Sequence, residues 1–397
     1  MAHTQPRFRA LYSAMLGCFV LFGVTLTIIG ATLPKIIHGF RWSYTATGLV
    51  LSSGSLAYFV TTFISGILVQ RLGPKRVLVA GLAIQGLGLA FFAACPFVLL
   101  NLLLCVLMGV GHGGIEVVVN FSVVRMERPG QSRLMSLTHA AFSVGAILGP
   151  FLLAGLLEVG AGWQVVYRLM AGVSFGAAGA VGLLSFAGVA GGPQRTSEED
   201  PRVLDLLRRP LLILLFLTLL LYVGSELGVS HWLAEYYERV LHSSAFRAQL
   251  MPSVLWAGVL LGRVAVSFGY RGSRQAEVLV VLACLCTVSL AVAIVIGDAV
   301  GAGVGFFVTG LGYSAVYPLV MVLVGRHFQR GQSVAIGFAS TGGGVGCFAM
   351  PFVMAAISDH FGLRAGFLFY LSLCVMMTGV TFAILRLVRA MPEQTSV

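Results

Sequence analysis

Twelve times along its 397 residues, this chain runs for 18 residues or more with hardly a charged side chain. The stretches are Leu11–Leu33, Trp42–Val69, Val77–Ala94, Phe97–Val124, Leu134–Leu157, Val165–Val189, Leu211–Trp232, Leu250–Phe268, Val278–Gly297, Ala299–Gly325, Val334–Ile357 and Ala365–Leu385. A hydrocarbon layer of about 30 Å takes roughly 20 helical residues to cross. Each stretch is therefore read as one spanning helix. Alternation of apolar and polar residues is missing, which excludes a transmembrane barrel. Composition agrees: 10% of residues are charged and 58% hydrophobic, against roughly 25% charged in a soluble domain. Too few ionic groups remain to cover a water-facing surface.

Arg7 and Arg9 ahead of the first stretch imitate a secretory signal. That stretch is 23 residues long and no small-residue cleavage pattern follows it, so it is read as the first span. The formal net charge of +11 suggests nucleic acid, but its distribution points to lipid instead. With the N-terminus inside, 19 of the 25 lysines and arginines fall on the inner side and 6 on the outer. This asymmetry predicts both termini in the cytoplasm and no nucleic-acid partner. The seven cysteines lie in or beside the spans, and Cys284-x-Cys286 is read as helix packing. Neither a disulfide framework, a metal site nor a cofactor is expected.

The chain is expected to divide in two. Residues 1–189 and 210–397 each carry six spans, and 190–209 form a cytoplasmic linker with Gly191, Gly192, Pro193 and an acidic run. Within it, Pro201–Pro210 sets Val203, Leu204, Leu206 and Leu207 among basic residues, as a short interfacial helix would. The halves repeat one another. Gly66, Gly73 and Lys75 recur as Gly262, Gly269 and Arg271 at an offset of 196. Val144-Gly145, Pro150-Phe151 and Glu158 recur as Val345-Gly346, Pro351-Phe352 and Asp359 at 201, as do Gly111-His112 and Glu116 as Gly312-Tyr313 and Tyr317. Parallel six-helix repeats are the pattern of transporters that rock about a site between their halves.

The segment Gly66-Ile-Leu-Val-Gln70-Arg71-Leu-Gly73-Pro-Lys75-Arg76 resembles the loop motif between the second and third helices of the major facilitator superfamily. The resemblance implies twelve transmembrane helices in two pseudo-symmetric bundles, an all-α membrane protein. Two glycines would ease a tight turn there, and Gln70 stands where the family usually has an Asp that latches the halves. Within the superfamily, four segments resemble the fucose–proton and glucose/mannose–proton symporters. They are Gly109-Val-Gly111-His112-Gly113-Gly114-Ile-Glu116-Val-Val-Val-Asn120, Tyr222-Val-Gly224-Ser225-Glu226 with Trp232-Leu233, Gly262-Arg263, and Tyr317-Pro318. Fucose symporters carry a further acid four residues before a proline of the first helix. Before Pro34 this chain has Gly30, which favours the glucose/mannose branch.

Glu116 is the sharpest single residue. An ionised, unpaired carboxylate inside a span costs several kcal/mol. His112, Glu116 and Asn120 recur every four residues and share a helix face. The group reads either as a proton-coupling site of Glu116 and His112 or as polar glue to a neighbouring helix. Glu226 shares a face with Tyr222 and Ser230, and reads as an acceptor of solute hydroxyls or as a carboxylate serving a helix break at Gly224 and Gly228. His139 with Ser143, Ser55 with Tyr58 and Thr62, and Ser340 with Thr341 form further polar groups. A polyol needs amides, carboxylates and hydroxyls beside an aromatic plate. Asn120, Gln85, Glu226, Tyr222, Ser230 and His139 are candidates for the first role, and Trp232, Trp256, Tyr313 and Tyr317 for the second. Glu226, Trp232, Asn120 and Tyr317 are expected to face one central cavity. Gly66, Gln70, Arg71, Gly73, Lys75, Gly262, Arg263, Gly269 and Arg271 are assigned to the cytoplasmic loop motif and gate, with Arg263 ending its helix at the inner face. The runs Gly109–Gly114 and Gly342–Gly346 would let helices slide.

The resemblance implies proton-coupled uptake of a monosaccharide by a monomer in a bacterial cytoplasmic membrane. Its alternative is proton-coupled export of a drug or metabolite. Gly145-Ala-Ile-Leu-Gly149-Pro150 with Gly155 resembles the antiporter motif of the fifth helix, although Ala154 replaces a glycine. Nucleophile elbow, zinc-binding His pair, P-loop and potassium-filter sequences are all missing, so the chain reads as neither enzyme nor channel and draws its energy from a gradient.

Overall fold

In hydrocarbon the backbone finds no water, so every span must close its own hydrogen bonds. The computed structural model describes residues 4–126, 133–186, 189, 208–269, 274–328 and 332–391, and these form thirteen α-helices and no strand. They are α1 Thr4–Phe40, α2 Tyr44–Leu72, α3 Pro74–Phe91, α4 Val98–Met126, α5 Arg133–Glu158, α6 Val165–Leu183, α7 Pro210–Arg239, α8 Ala245–Gly269, α9 Gln275–Val295, α10 Ala299–Tyr313, α11 Val316–His327, α12 Gln332–Phe361 and α13 Leu363–Ala390. α10 and α11 are two parts of one span, so twelve segments are long and apolar enough to cross a membrane. Residues 190–207 of the expected linker, including 201–207 of its short helix, lie outside the described residues, as do Arg128, Arg271 and Arg330.

Local chemistry sets the helix ends. Ser43 caps α2 by accepting from the Ala46 amide at 3.0 Å, and Asp298 caps α10 by accepting from Val300 and Gly301. Gly73 has a φ of 82° and turns the chain from α2 into α3, where Pro74 takes the first helical position. Gly66 takes no part in that turn, contrary to the sequence expectation. It lies inside α2, which runs on to Leu72, and a Cβ added there would meet nothing within 4 Å. α1 passes through Pro34, where its apolar window had ended, and stops at Phe40. Its stop is a left-handed Arg41, φ 54°, closed by a 3.2 Å bond from the Trp42 amide to the Ile37 carbonyl.

Two corrections concern helix breaks. The break expected at Gly224 and Gly228 is not there, and α7 is continuous from Pro210 to Arg239. Its two glycines make room instead, since a Cβ at Gly224 would stand 2.5 Å from Met350 Cγ and one at Gly228 2.4 Å from the Tyr370 ring. The break falls between α10 and α11 at Ser314–Ala315, three residues before a proline that lacks the amide to continue the ladder.

Small residues draw the helices together, as expected where lipid is as apolar as the side chains. A Cβ at Gly109 of α4 would fall 2.1 Å from the Gly54 carbonyl oxygen of α2, and one at Gly145 of α5 2.0 Å from that of Val20 in α1. The same crossings recur at the repeat offset. A Cβ at Gly310 of α10 would fall 2.1 Å from the Leu255 oxygen of α8, and one at Gly346 of α12 2.1 Å from that of Leu220 in α7. Arginines recur likewise. Arg168 of α6 donates to the Leu89 and Phe92 carbonyls at the end of α3, and Arg364 of α13 to the Ile294 carbonyl at the end of α9. Both put a cation on the negative end of a helix dipole. On α9, Val281, Leu285, Val288, Val292 and Val295 form an exposed apolar stripe, the face that lipid would cover.

The residues group into two units. The first comprises Met1–Arg195 with His231–Ser253, and the second Thr196–Ser230 with Val254–Val397. α7 contributes its residues up to Ser230 to the second and its last turns to the first.

Candidate functional site

In the first unit two polar groups lie along the same face of α4. Gly109 and Gly113 bring α4 against α2, since a Cβ at Gly113 would stand 2.8 Å from the Tyr58 carbonyl oxygen. Gly111 does the same for α3, with Gln85 Cβ 2.4 Å from its own absent Cβ. The glycine run brings α4 against α2 and α3, and that packing positions these polar groups. The Tyr58 hydroxyl donates a very short hydrogen bond to Glu116 Oε2. One turn earlier, His112 Nε2 lies 2.9 Å from Thr25 Oγ1 of α1. Gln85 Nε2 of α3 donates to that same hydroxyl at 2.8 Å, while the Leu21 and Phe22 carbonyls lie within reach of its proton. A hydroxyl has one proton to give. Thr25 accepts from Gln85, and its one proton goes either to the backbone or to His112 Nε2.

Two buried acceptors here remain without a hydrogen-bond partner, Gln85 Oε1 and Asn120 Oδ1. Asn120 ends the stripe begun by His112 and Glu116 on α4. His139 is exposed on α5 and meets Phe19 of α1 edge-on at 5.6 Å between ring centres. Phe22 stands against His112 at 4.9 Å. The structure therefore joins His112 to Gln85 through Thr25, and separately pairs Glu116 with Tyr58. Thr25 escaped sequence reading because a lone threonine on a helix ordinarily bonds its own backbone, and only the fold shows its second and third partners.

The second unit carries a network of different make-up. Tyr222, one turn earlier on α7, neighbours Glu226, and Arg263 of α8 is its charged neighbour. The Tyr222 hydroxyl interacts with Arg263, and one Glu226 oxygen, Oε1, has no donor. The Tyr222 ring stands edge-on to Tyr313 of α10 at 5.9 Å. Ser230 accepts from the Trp256 indole at 2.8 Å. Arg263 does not end its helix, as sequence reading supposed, because α8 continues to Gly269. Its Nε donates to the Ser314 carbonyl at 3.1 Å. That carbonyl is the one Pro318 cannot satisfy, since the amide four residues on is missing. A Cβ at Gly262 would strike Ser314 Oγ at 2.3 Å. Gly262-Arg263 and Tyr317-Pro318, read separately in the sequence, are two halves of one contact. Tyr317 is 38% exposed, and its hydroxyl lies 3.2 Å from Ser340 Oγ of α12.

Of the remaining candidates, Trp232 is wholly buried in the first unit, with its indole nitrogen unpartnered. Its ring meets Tyr44 edge-on at 5.5 Å. Gln70, Arg71 and Lys75 flank the turn at Gly73, with Gln70 and Arg71 exposed. Among the described residues no group of three or more His, Cys, Asp and Glu side chains is placed to hold a metal.

Twelve apolar spans, helix crossings repeated in each half and buried polar networks define a polytopic membrane transporter. The sequence model of the Major Facilitator Superfamily matches residues 15–333, and the chain belongs to that family. It is a transporter of small solutes and not an enzyme. It is 25% identical over 369 residues to a glucose/galactose transporter of Brucella abortus biovar 1 (strain 9-941), a match covering 88% of each chain. Its fold is similar to that of the nucleoside transporter NupG, with a TM-score of 0.81 at 14% identity over 95% of this chain and 99% of that one. A bacterial homolog of the human lysosomal transporter Spinster is similar at a TM-score of 0.77 and 14% identity, over 96% and 97% of the two chains.

Proposed function

We propose that this protein takes up a monosaccharide with protons, as a monomer in a bacterial cytoplasmic membrane with both termini and the 190–209 linker on the inner side. The observation that carries the reading is the carboxyl group of Glu116, set deep in α4 and held by the Tyr58 hydroxyl with no cation among its partners in the described residues. A structural ion pair would need a partner of opposite charge. A group that exchanges a proton as the protein changes state needs only a neutral hydrogen-bonding neighbour, and Tyr58 supplies one. His112, bound to Thr25, is the adjoining titratable group.

The substrate class is inferred from the second unit and from the glucose/galactose relative. Tyr222, Glu226, Ser230 and Trp256 offer acceptors, hydroxyls and an aromatic face, the set a sugar ring requires. Glu226 Oε1 is buried with no donor of its own, and a solute hydroxyl would supply one. The antiporter-like run of α5 supports export less than its sequence suggested. Gly145 and Gly149 are taken up in packing on α1, where a Cβ at Gly149 would stand 2.7 Å from Thr27 Oγ1, while Gly155 faces open space.

The test is uptake of radiolabelled D-glucose, D-galactose, D-mannose and L-fucose by proteoliposomes, with and without an inward proton gradient. Accumulation of at least one sugar above its outside concentration, driven by that gradient alone, is expected. Loss of a preloaded solute on imposing the same gradient, with no sugar accumulated, would establish export instead.

A further inference from the structure

Glu235 lies three residues beyond the seventh apolar window and drew no attention in the sequence, yet its side chain is completely buried. The ends of three helices meet around it, all within the first unit. Tyr44, the first residue of α2, donates to Glu235 Oε1 at 3.1 Å. Arg239, one turn further along α7, holds its Nε 3.5 Å from the same oxygen. His38, near the end of α1, sets Nε2 3.8 Å from Oε2. Oε2 accepts no hydrogen bond. Lys35 of α1 and Glu238 of α7 are the other charged groups acting here.

One contact fixes the protonation of the group. Arg239 Nη2 lies 2.7 Å from His38 Nδ1. A guanidinium only donates, so Nδ1 must accept. The ring is therefore neutral, with its proton on Nε2, facing Glu235 Oε2 at a distance too long for a hydrogen bond. The arrangement has two vacant proton positions. A proton added to His38 Nδ1 would set N–H against N–H and expel Arg239, leaving an imidazolium beside Glu235. A proton added to Glu235 Oε2 would weaken the hold of Arg239 on the carboxyl group. Either one changes which side chains tie α1 and α2 to the end of α7. Water has access, because the His38 and Arg239 side chains are 32% and 53% exposed.

We propose that the Glu235–His38 pair, clamped by Tyr44 and Arg239, is a second proton-binding site, separate from Glu116. Its part in transport rests on the proton-coupled reading above, but proton binding itself does not. α7 is unbroken from Glu226 through Ser230 to Glu235, so the same helix carries this group and side chains assigned to the solute. On the proposed orientation this end faces outward and takes its proton from outside.

Trp232, one turn from Glu235 and against Tyr44, is a built-in reporter among four tryptophans. The experiment is a pH titration of tryptophan fluorescence on the full-length protein in liposomes, with no solute added. The wild type should show a transition between about pH 5 and 8, where imidazole titrates. It should vanish in Trp232→Phe and in Glu235→Gln, whose amide oxygen still accepts from Tyr44, and persist in Glu116→Gln. His38→Asn should abolish it or move its midpoint by about one pH unit, and it serves as the independent variant if Glu235→Gln does not fold. A Glu235→Gln curve that overlays the wild type, an unmoved midpoint in His38→Asn, or loss of the transition in Glu116→Gln would each overturn the site. Absence of sugar accumulation with this transition intact would refute the solute assignment and leave the proton site standing.

Discussion

The contact between Arg263 and the broken tenth span can be taken apart by a double-mutant cycle. Arg263→Met keeps most of the side-chain volume and removes the guanidinium. The Ser314 carbonyl then loses its charged donor, a bond of about 1.5–3 kcal/mol, and is left orphaned in a dry site. Tyr222 and Glu226 lose their cationic neighbour as well, and removing one partner of a buried charged group costs roughly 3–5 kcal/mol. Pro318→Ala restores an amide four residues after Ser314, so the helix can satisfy that carbonyl itself. In the double variant the backbone recovers the orphan penalty, about 1–2 kcal/mol, while the deficit at Glu226 remains. Unfolding free energies of the four proteins in mixed micelles should thus show positive coupling of that size, well above the roughly 0.3–0.5 kcal/mol scatter of independent sites. Solute exchange should stay impaired in the double variant, because Pro318→Ala does nothing for Glu226. Additive free energies would refute the claim that Arg263 stands in for the missing amide of Pro318.

Glu116→Gln should abolish pH-driven accumulation while solute exchange across the membrane continues; concentration of solute by a pH gradient alone in this variant would place the coupling proton elsewhere. Gly109→Val forces a branched side chain into the Gly54 carbonyl, and overpacking of this kind typically costs about 1–3 kcal/mol. It should lower the midpoint of thermal unfolding, whereas Gly66→Val, in open space, should leave it within about a degree. Single cysteines introduced near the N-terminus, at Ser197 and near the C-terminus should resist an impermeant maleimide in intact cells, and labelling at Ser197 would reverse the proposed topology.

Much of the architecture could be read before any coordinates, for one reason. Lipid forbids exposed backbone, so each span must be a continuous apolar run, and such runs are visible residue by residue. The repeat was legible too, because glycines at helix crossings cannot be replaced without pushing two backbones apart, and Gly145 and Gly346 mark equivalent crossings. Polarity inside a span was just as plain, and Glu116, His112 and Glu226 needed no structure to be singled out. Partnership was not legible. That Thr25 joins Gln85 to His112, or that Arg263 completes the carbonyl opposite Pro318, depends on the rotation of one helix about its axis relative to another, which an apolar stripe leaves loose by tens of degrees. Glu235 was hidden for a different reason. A hydropathy window ends where charge begins, so a carboxyl group buried by the ends of neighbouring helices reads as the start of a loop. His38, Glu235 and Arg239 all lie at the ends of spans, the region that sequence reading hands to topology. In a transporter the ends of spans are also where water stops and the dry path begins. Charges there serve orientation and proton exchange at once, and only their mutual geometry separates the two. On the proposed reading the bond from Arg239 to His38 marks that difference: it holds the imidazole as a neutral acceptor, which a cation placed for topology alone would not need.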